Sequence, residues 1–264
     1  MSIRVRDIFV YPVKGLDPHR LDSAEITPGG SLKYDRMFAM KDEQGKYING
    51  KKNDRIYLLR SSFSPEKMSI TFSCRDIQQE TFQLTENTHL IQEFLSGYFQ
   101  KNVTFLRNED AGFPDDTDAS GPTVALRESI QEVCRWFPDI SADEMTRRFR
   151  PNIILEGAEP FWEDRLLPEL ESDREFRIGD VAIHGINPCA RCAVPTRHPE
   201  TGDIYPLFQK SFAEKRKASL PEWAPERHFD HYYRFTVNTL IPSSETGKHI
   251  MTGDEVSLPA TALY

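Results

Sequence analysis

Short runs that mix hydrophobic and polar residues dominate roughly the first hundred positions of the chain. Residues 4–13 contain the β-branched Val5, Ile8 and Val10 among charged neighbours, which predicts a strand. Six further strands are predicted at residues 23–26, 37–40, 47–48, 56–59, 68–72 and 82–84. Turn-forming Gly, Pro, Asp and Ser separate several of them. The even spacing of short strands favours a small barrel or sandwich.

The pattern changes after residues 108–122, which are rich in Asp, Gly, Ser and Pro and predict a loop or domain boundary. We therefore predict one domain over residues 1–107 and a second over residues 108–264. Helices are predicted at residues 129–137, 141–148 and around 212–217, and strands at 152–155, 175–178, 180–186, 233–238 and 254–258. Ser141, followed by Glu144, forms a capping-box pattern at the second helix. The expected fold is mainly β with some α-helix.

Composition narrows the class of protein. The 264 residues carry 33 Lys and Arg against 41 Asp and Glu, a net charge of −8, which excludes the overall basic surface of a duplex-DNA binder. The net charge does not exclude a basic pocket in one part of the molecule. The longest apolar runs, such as residues 8–11 and 153–155, fall far short of the ~20 residues that span a bilayer. Without an apolar signal segment at the N-terminus, the expected location is the cytoplasm.

Cys189 and Cys192, separated by two residues, can serve a metal, a redox couple or neither. A structural zinc site needs four ligands, and no second pair at ligand spacing accompanies them. A thioredoxin-type couple needs a helix start, which Pro195 and Pro199 oppose. One thiolate beside Arg191 would suit a soft metal. The alternative is a pair of buried thiols without function.

Three cations stand next to predicted strands or turns, namely Lys14, Arg36 and Arg150. Each reads most simply as a solvated cation or a partner of one of the many carboxylates. If they converge, they would suit a phosphate or another anion, since Arg offers two parallel donors. Spacing alone does not decide between these readings. His228 and His231 lack a second ligand pair and are interpreted as structural.

Several motifs resemble the MOSC family, named for the C-terminal domain of molybdenum cofactor sulfurase. The resemblance is to the subgroup with an added N-terminal β-barrel domain, which includes the mitochondrial amidoxime-reducing components and their bacterial counterparts. The motifs are YPVKG at 11–15, YDR at 34–36, FRPNI at 149–153, IGDV at 178–181, CARC at 189–192, PETG at 199–202 and TGDEV at 252–256. They follow in order along nearly the whole chain.

The resemblance implies a fold and a site. The fold would be an N-terminal β-barrel-like domain followed by a MOSC β-barrel domain with peripheral helices. Cys192 would be the catalytic residue and the thiolate ligand of molybdenum. The residues implied to bind the molybdenum cofactor (molybdopterin) are Lys14, Arg36, Ser120, Arg150 and Asn152. Of these, the three cations map onto residues that hold the pterin phosphate and ring, and Ser120 belongs to a cofactor-facing loop.

By the same resemblance, we expect a molybdenum-dependent oxidoreductase that reduces small N-hydroxylated or N-oxygenated compounds. Its electrons would come from a separate ferredoxin-like, haem or flavin protein, because the sequence has no iron–sulfur cysteine array and no nucleotide-binding fingerprint. Neither nucleic acid nor membrane is an expected partner. The main rival is a non-catalytic carrier of the cofactor or of sulfur that uses Cys192. A cofactor-free interaction module with the same fold is the third reading.

Overall fold

The computed structural model describes residues 2–75, 77–168 and 174–259. Its strands are β1 (Arg4–Val10), β2 (His19–Leu21), β3 (Ser23–Glu25), β4 (Phe38–Asp42), β5 (Arg60–Ser64), β6 (Ser69–Cys74), β7 (Ile77–Gln83), β8 (Val103–Arg107), β9 (Val124–Leu126), β10 (Ile153–Glu156), β11 (Arg174–Ile178), β12 (Val181–Ala190), β13 (Arg234–Leu240), β14 (His249–Met251) and β15 (Val256–Ser257). Its α-helices are α1 (Thr88–Phe99), α2 (Arg127–Trp136), α3 (Ala142–Phe149) and α4 (Phe208–Ala218). The predicted mainly-β fold with some helix is confirmed.

A curled sheet of eight strands forms the largest unit, in the order β15-β11-β12-β13-β9-β10-β1-β2. β9 and β10 run parallel, whereas the other described neighbours run antiparallel. β1 pairs with β10 in a register that places Val5 opposite Leu155 and Ile8 opposite Ile153. Two strands from the first 107 residues therefore belong to the same sheet as six strands that follow residue 123. The domain boundary at 107/108 stays a prediction.

The other described strands form three small sheets, and two of these, β5-β6-β7 and β4-β8, surround a second hydrophobic core. β5, β6 and β7 form a three-stranded antiparallel sheet, β4 pairs with β8, and β3 pairs with β14. Stacked phenylalanines contribute to this core, with ring centroids 5.1 Å apart for Phe38 of β4 and Phe105 of β8, and 5.4 Å apart for Phe72 of β6 and Phe94 of α1. This core supports the loops that follow β1 and β3.

The helices agree with the sequence pattern in two places and correct it in a third. Ser141 caps α3 as predicted, because its Oγ accepts the backbone N–H of Glu144 at 3.2 Å. α2 and α4 lie close to their predicted positions. α1 was not predicted, although its buried residues Ile91, Leu95 and Tyr98 have the four- and three-residue spacing of a helix face.

Two predicted strands are wrong. Residues 56–59 contribute instead to a 3-10 turn, Asp54–Tyr57, because the side chain of Asn53 accepts the N–H of Arg55 and caps it. Residues 47–48 supply only an isolated bridge, from Tyr47 to Lys41. Within the described residues, no helix is both long and apolar enough to cross a membrane.

Candidate functional site

A cavity of about 790 Å³ collects side chains from distant parts of the chain. Its wall includes the loop after β1, the segment before β9, the C-terminal end of α3 and the junction of β12 with the following loop. Eleven Lys and Arg residues line it, against five Asp and no Glu. A chain with a net charge of −8 thus has a strongly basic cavity, as suits an anionic ligand.

Arg150 is a cation of this cavity that contacts an aromatic ring instead of a carboxylate. It ends α3 in the left-handed conformation, with φ of 55°, and its backbone N–H donates to Thr146. Its guanidinium lies 4.0 Å from the ring centre of Tyr11. Within the described residues it makes no side-chain hydrogen bond or ion pair. Burial is the main cause that lowers the pKa of Arg150, and the positive charge of Arg36 lowers this pKa further.

Arg36 is held in place from two sides. It forms an ion pair with Asp35 and lies 3.4 Å from Oδ1 of Asn152. Asp35 is buried and also accepts the backbone N–H of Tyr11 at 2.8 Å. Although burial opposes it, the charges of Asp35 and Asp115 raise the pKa of Arg36. Arg36 therefore stays cationic, in a backbone conformation (φ 47°) that a non-glycine residue seldom adopts.

Lys14 is buried in the cavity wall and has protein partners for its ammonium. Nζ donates to the carbonyls of Phe113 at 2.8 Å and Pro114 at 3.0 Å, and pairs with Asp115 at 2.7 Å. Burial lowers the pKa of Lys14. Burial would raise the pKa of Asp115, but Arg36 and Lys14 outweigh it and hold that pKa at about 2. Any anion that reaches Lys14 competes with Asp115.

The two cysteines of the CARC motif have different surroundings. Cys189 lies inside β12, half-buried, and Arg191 Nη1 donates to its Sγ at 3.1 Å. Arg191 also donates to the carbonyl of Phe149, which fixes its side chain. Cys192 lies in the loop beyond the strand, exposed to the cavity. The sequence left open which thiol is beside Arg191; in the structure it is Cys189.

Ser120 and Asn152, the two polar residues that the resemblance implies for cofactor binding, differ in whether they line the cavity. Ser120 lines the cavity and donates to the carbonyl of Gly29 at 3.3 Å. Asn152 is fully buried: its Nδ2 donates to Phe9, and its Oδ1 accepts from Thr123 at 3.1 Å and lies near Arg36. Asn152 does not line the cavity, but its partners Arg36 and Thr123 do.

Sequence reasoning missed two features of the site, one buried behind the cavity wall and one in the wall itself. Tyr11 stood in a quoted motif, but its role as the surface beneath Arg150 follows only from the structure. Arg147 lines the cavity; its Nη1 pairs with Glu200, and its Nη2 is buried without a hydrogen-bond partner among the described residues. Its position three residues before Arg150 in a predicted helix was the available signal.

Similarity to known proteins agrees with this arrangement. Residues 2–139 match the family described as MOSC N-terminal beta barrel domain, and residues 123–257 match the MOSC domain. Molybdenum cofactor sulfurase of Oryza sativa is 21% identical over 253 residues, covering 77% of this chain and 29% of that protein. Mitochondrial amidoxime reducing component 2 of Bos taurus is 22% identical over 242 residues, covering 76% of this chain and 68% of that protein.

Mitochondrial amidoxime-reducing component 1 of Mus musculus is 22% identical over 245 residues, covering 75% of this chain and 66% of that protein. The chain thus spans less than a third of the sulfurase and about two thirds of the mammalian proteins.

Proposed function

This chain belongs to the MOSC family, with a MOSC N-terminal β-barrel domain and a MOSC domain, and we propose that it is a molybdenum-cofactor-dependent reductase of small N-hydroxylated or N-oxygenated compounds. It would take its electrons from a separate protein. The names of its mammalian relatives support this substrate class.

One observation carries the proposal: the thiol of Cys192 faces the same cavity as Lys14, Arg36 and Arg150. These residues come from four separate segments of the chain, and the first and last of them are separated by more than 170 positions. A soft thiol and a group of cations together match a ligand that is a soft metal at one end and an anion at the other. Neither half alone would specify such a ligand.

The residues present fit a molybdenum cofactor. Arg150 offers its planar pair of donors, without a competing carboxylate, to a phosphate. Arg36 adds a second guanidinium, and Ser120 a hydroxyl, on the same wall. Cys192 is the exposed thiol of the site, and a thiolate is the protein ligand that such a metal prefers. No three described His, Cys, Asp or Glu side chains form a metal-binding group of their own, so the pterin would supply the remaining ligands.

The protein's own contribution would be to bind and orient. Tyr11 fixes the plane of Arg150, and Asp35 fixes Arg36, so both guanidinium groups are positioned before a ligand arrives. When bound, the cofactor supplies the two-electron redox chemistry. The net reaction is R–NHOH + 2e⁻ + 2H⁺ → R–NH₂ + H₂O. The basic wall would also favour anionic substrates over cationic ones at the entrance.

The test uses protein expressed in a host that makes the cofactor. Cys192→Ala is expected to abolish turnover of an N-hydroxylated substrate driven by reduced viologen, and to lower molybdenum content, with little change in melting temperature because the thiol is exposed. Cys134→Ala is the matched control and should keep both. Cys189→Ala should retain turnover with a loss of roughly 10–100-fold, since Cys189 would support the ligand loop. Full activity in Cys192→Ala would refute the assignment.

A non-catalytic carrier of the cofactor or of sulfur is the second candidate. The name of the Oryza sativa relative and the guanidinium donor on the Cys189 thiol favour it. Molybdenum bound by the wild type without viologen-driven turnover would support the carrier. Protein that takes up neither metal nor pterin under the same expression conditions would point to an interaction module.

A further inference from the structure

A second groove, of about 680 Å³, opens to solvent and shares Arg191 with the basic cavity. We call it the α4 groove and define it by Arg191, Ile204, Leu207, Lys210 and His231. Arg191 precedes Cys192 in the chain and donates to the thiol of Cys189 at 3.1 Å. The α4 groove therefore reaches the protein surface one residue from the proposed metal ligand.

Two aliphatic side chains of the α4 groove are unusually open to water. Leu207 is 72% exposed and Ile204 is 61% exposed, the highest values among the large exposed hydrophobic residues. Leu207 also has φ of 56°, a left-handed conformation that its branched side chain disfavours and that Asn or Gly would adopt more easily. An exposed apolar residue kept in a strained conformation indicates selection for something other than stability.

The charge of the α4 groove is basic. Its lining includes Arg191, Lys210 and His231 but no Asp or Glu, in a chain with a net charge of −8. Two nearby carboxylates are engaged: Glu214 lies 3.9 Å from Lys210, and Asp230 is held by Arg234 at 2.6 Å. An apolar centre with basic surroundings matches the small, charge-steered interfaces of electron-transfer complexes.

We propose that the α4 groove is the docking site of an acidic electron-carrier protein. This proposal rests on the reductase function proposed above and adds where the electrons enter. Each docking of a reduced one-electron carrier delivers one electron and releases the oxidised carrier. Two dockings and two protons from water then balance the reduction of R–NHOH to R–NH₂ and H₂O.

The kinetic test compares two electron donors on the cofactor-loaded protein, an acidic [2Fe–2S] ferredoxin and reduced viologen. Leu207→Asn and Lys210→Glu should each raise the ferredoxin concentration for half-maximal rate by about tenfold, a loss that fewer than about a third of interface residues produce when truncated. Neither should change the viologen-driven rate. Met251→Asn and Lys67→Glu, exposed substitutions of the same type elsewhere on the surface, are the matched controls.

Leu207→Asn also separates docking from folding. Because Asn tolerates the left-handed conformation, the variant should melt no lower than the wild type although it binds the carrier less well. A purely structural Leu207 would instead lower the melting temperature and leave the carrier dependence unchanged.

A binding titration that needs no catalysis completes the test. Ferredoxin should bind the wild type, and this binding should weaken steeply as salt is added. Ferredoxin should bind the two groove variants about tenfold less tightly. A basic c-type cytochrome should not bind the wild type. Equal binding of ferredoxin to wild type and both variants would overturn the docking site. Groove-dependent binding to anionic lipid vesicles but not to ferredoxin would also overturn it. If the cofactor-loaded wild type shows no viologen-driven turnover, the reductase function is refuted. The binding titration alone then decides whether the α4 groove is a docking site.

Discussion

Two arginines, one in the core and one in the cavity, have the same side-chain chemistry but different partners. Arg216 is fully buried, forms an ion pair with Asp164, and lies 4.2 Å from the ring centre of Phe161. Arg150 lies 4.0 Å from the ring of Tyr11 and makes no ion pair within the described residues. Both guanidinium groups lie on an aromatic ring, but of the two only that of Arg216 pairs with a carboxylate of the described residues.

The difference shows which observation marks a ligand site. Arg216 also leaves Nε and Nη1 without hydrogen bonds among the described residues, so an unpartnered nitrogen alone does not identify one. A charge in a protein interior is tolerated when an opposite charge is near. Arg216 finds that charge within the chain, whereas Arg150 opens to a cavity in which a ligand can supply it.

The largest expected effect would come from Arg216→Ala. Removing one partner of a buried ion pair leaves Asp164 uncompensated, so the free energy of unfolding should fall by about 3–5 kcal/mol. Urea denaturation measures it, with the exposed Arg135→Ala as control, for which we expect little change. A loss below about 1 kcal/mol would remove the contrast between the two arginines, since surface ion pairs have that size.

Arg150→Ala should have the opposite profile. Its loss removes a charge-assisted hydrogen bond to the anionic ligand, worth roughly 1.5–3 kcal/mol, or about ten- to a hundredfold in retention of the cofactor. Stability should not fall, because burial and the nearby charge of Arg36 already disfavour the Arg150 cation. Arg150→Lys should be intermediate, since an ammonium lacks the paired donors. Equal pterin content in wild type and both variants after gel filtration would show that Arg150 is no cofactor ligand.

Glu163, next to Asp164 in the core, gives a smaller effect that depends on pH. Burial, followed by the charge of Asp164, raises the pKa of Glu163 above its ordinary value of 4.5. The folded state therefore keeps a proton that the unfolded state loses, so stability declines as the pH rises above that value. Glu163→Gln keeps a similar shape without the ionisation and should flatten this decline. Parallel curves of melting temperature against pH for the two proteins would contradict this account.

Asp115→Asn should produce the smallest change and should strengthen binding. Asp115 competes with a ligand anion for Lys14 and Arg36, and its side chain is mostly exposed, so its contribution is below about 1 kcal/mol. Affinity for free phosphate, measured by calorimetry on the protein without cofactor, should rise no more than about fivefold. The exposed Asp143→Asn is the control. Weaker phosphate binding in Asp115→Asn would mean that Asp115 organises the site rather than competes for it.

The sequence predicted the elements that local chemistry controls. Ser141 and Glu144 fixed the start of α3, because the cap is made within four residues. The sequence pattern did not predict α1, because this helix follows a series of short strands along the chain. Its buried residues nevertheless have the spacing of a helix face. Residues 56–59 are apolar enough for a strand, but a side chain outside the segment, that of Asn53, determines the turn. Boundaries set by such neighbours are not visible in hydrophobic periodicity.

The site depends on contacts that no local pattern contains. Lys14, Arg36 and Arg150 could be grouped only by resemblance, because the pairing of β1 with β10 brings their segments together. Asn152 is fully buried and lies 3.4 Å from Arg36, a position that only packing reveals, and its implied role in cofactor binding stays a prediction. The environment of each cysteine likewise depends on where the Arg191 side chain lies.

The pairing of β1 with β10 has a consequence for the newly made chain. β1 leaves the ribosome before its neighbour in the sheet, β10, which begins only at Ile153. At the usual pace of about 5–20 residues per second, β1 waits on the order of ten seconds before that partner exists. During this interval its apolar Val5, Ile8 and Val10 lack the strand that later covers one edge. Assembly of the cavity therefore cannot precede translation of β10 or of Cys192, which follows β10 in the chain.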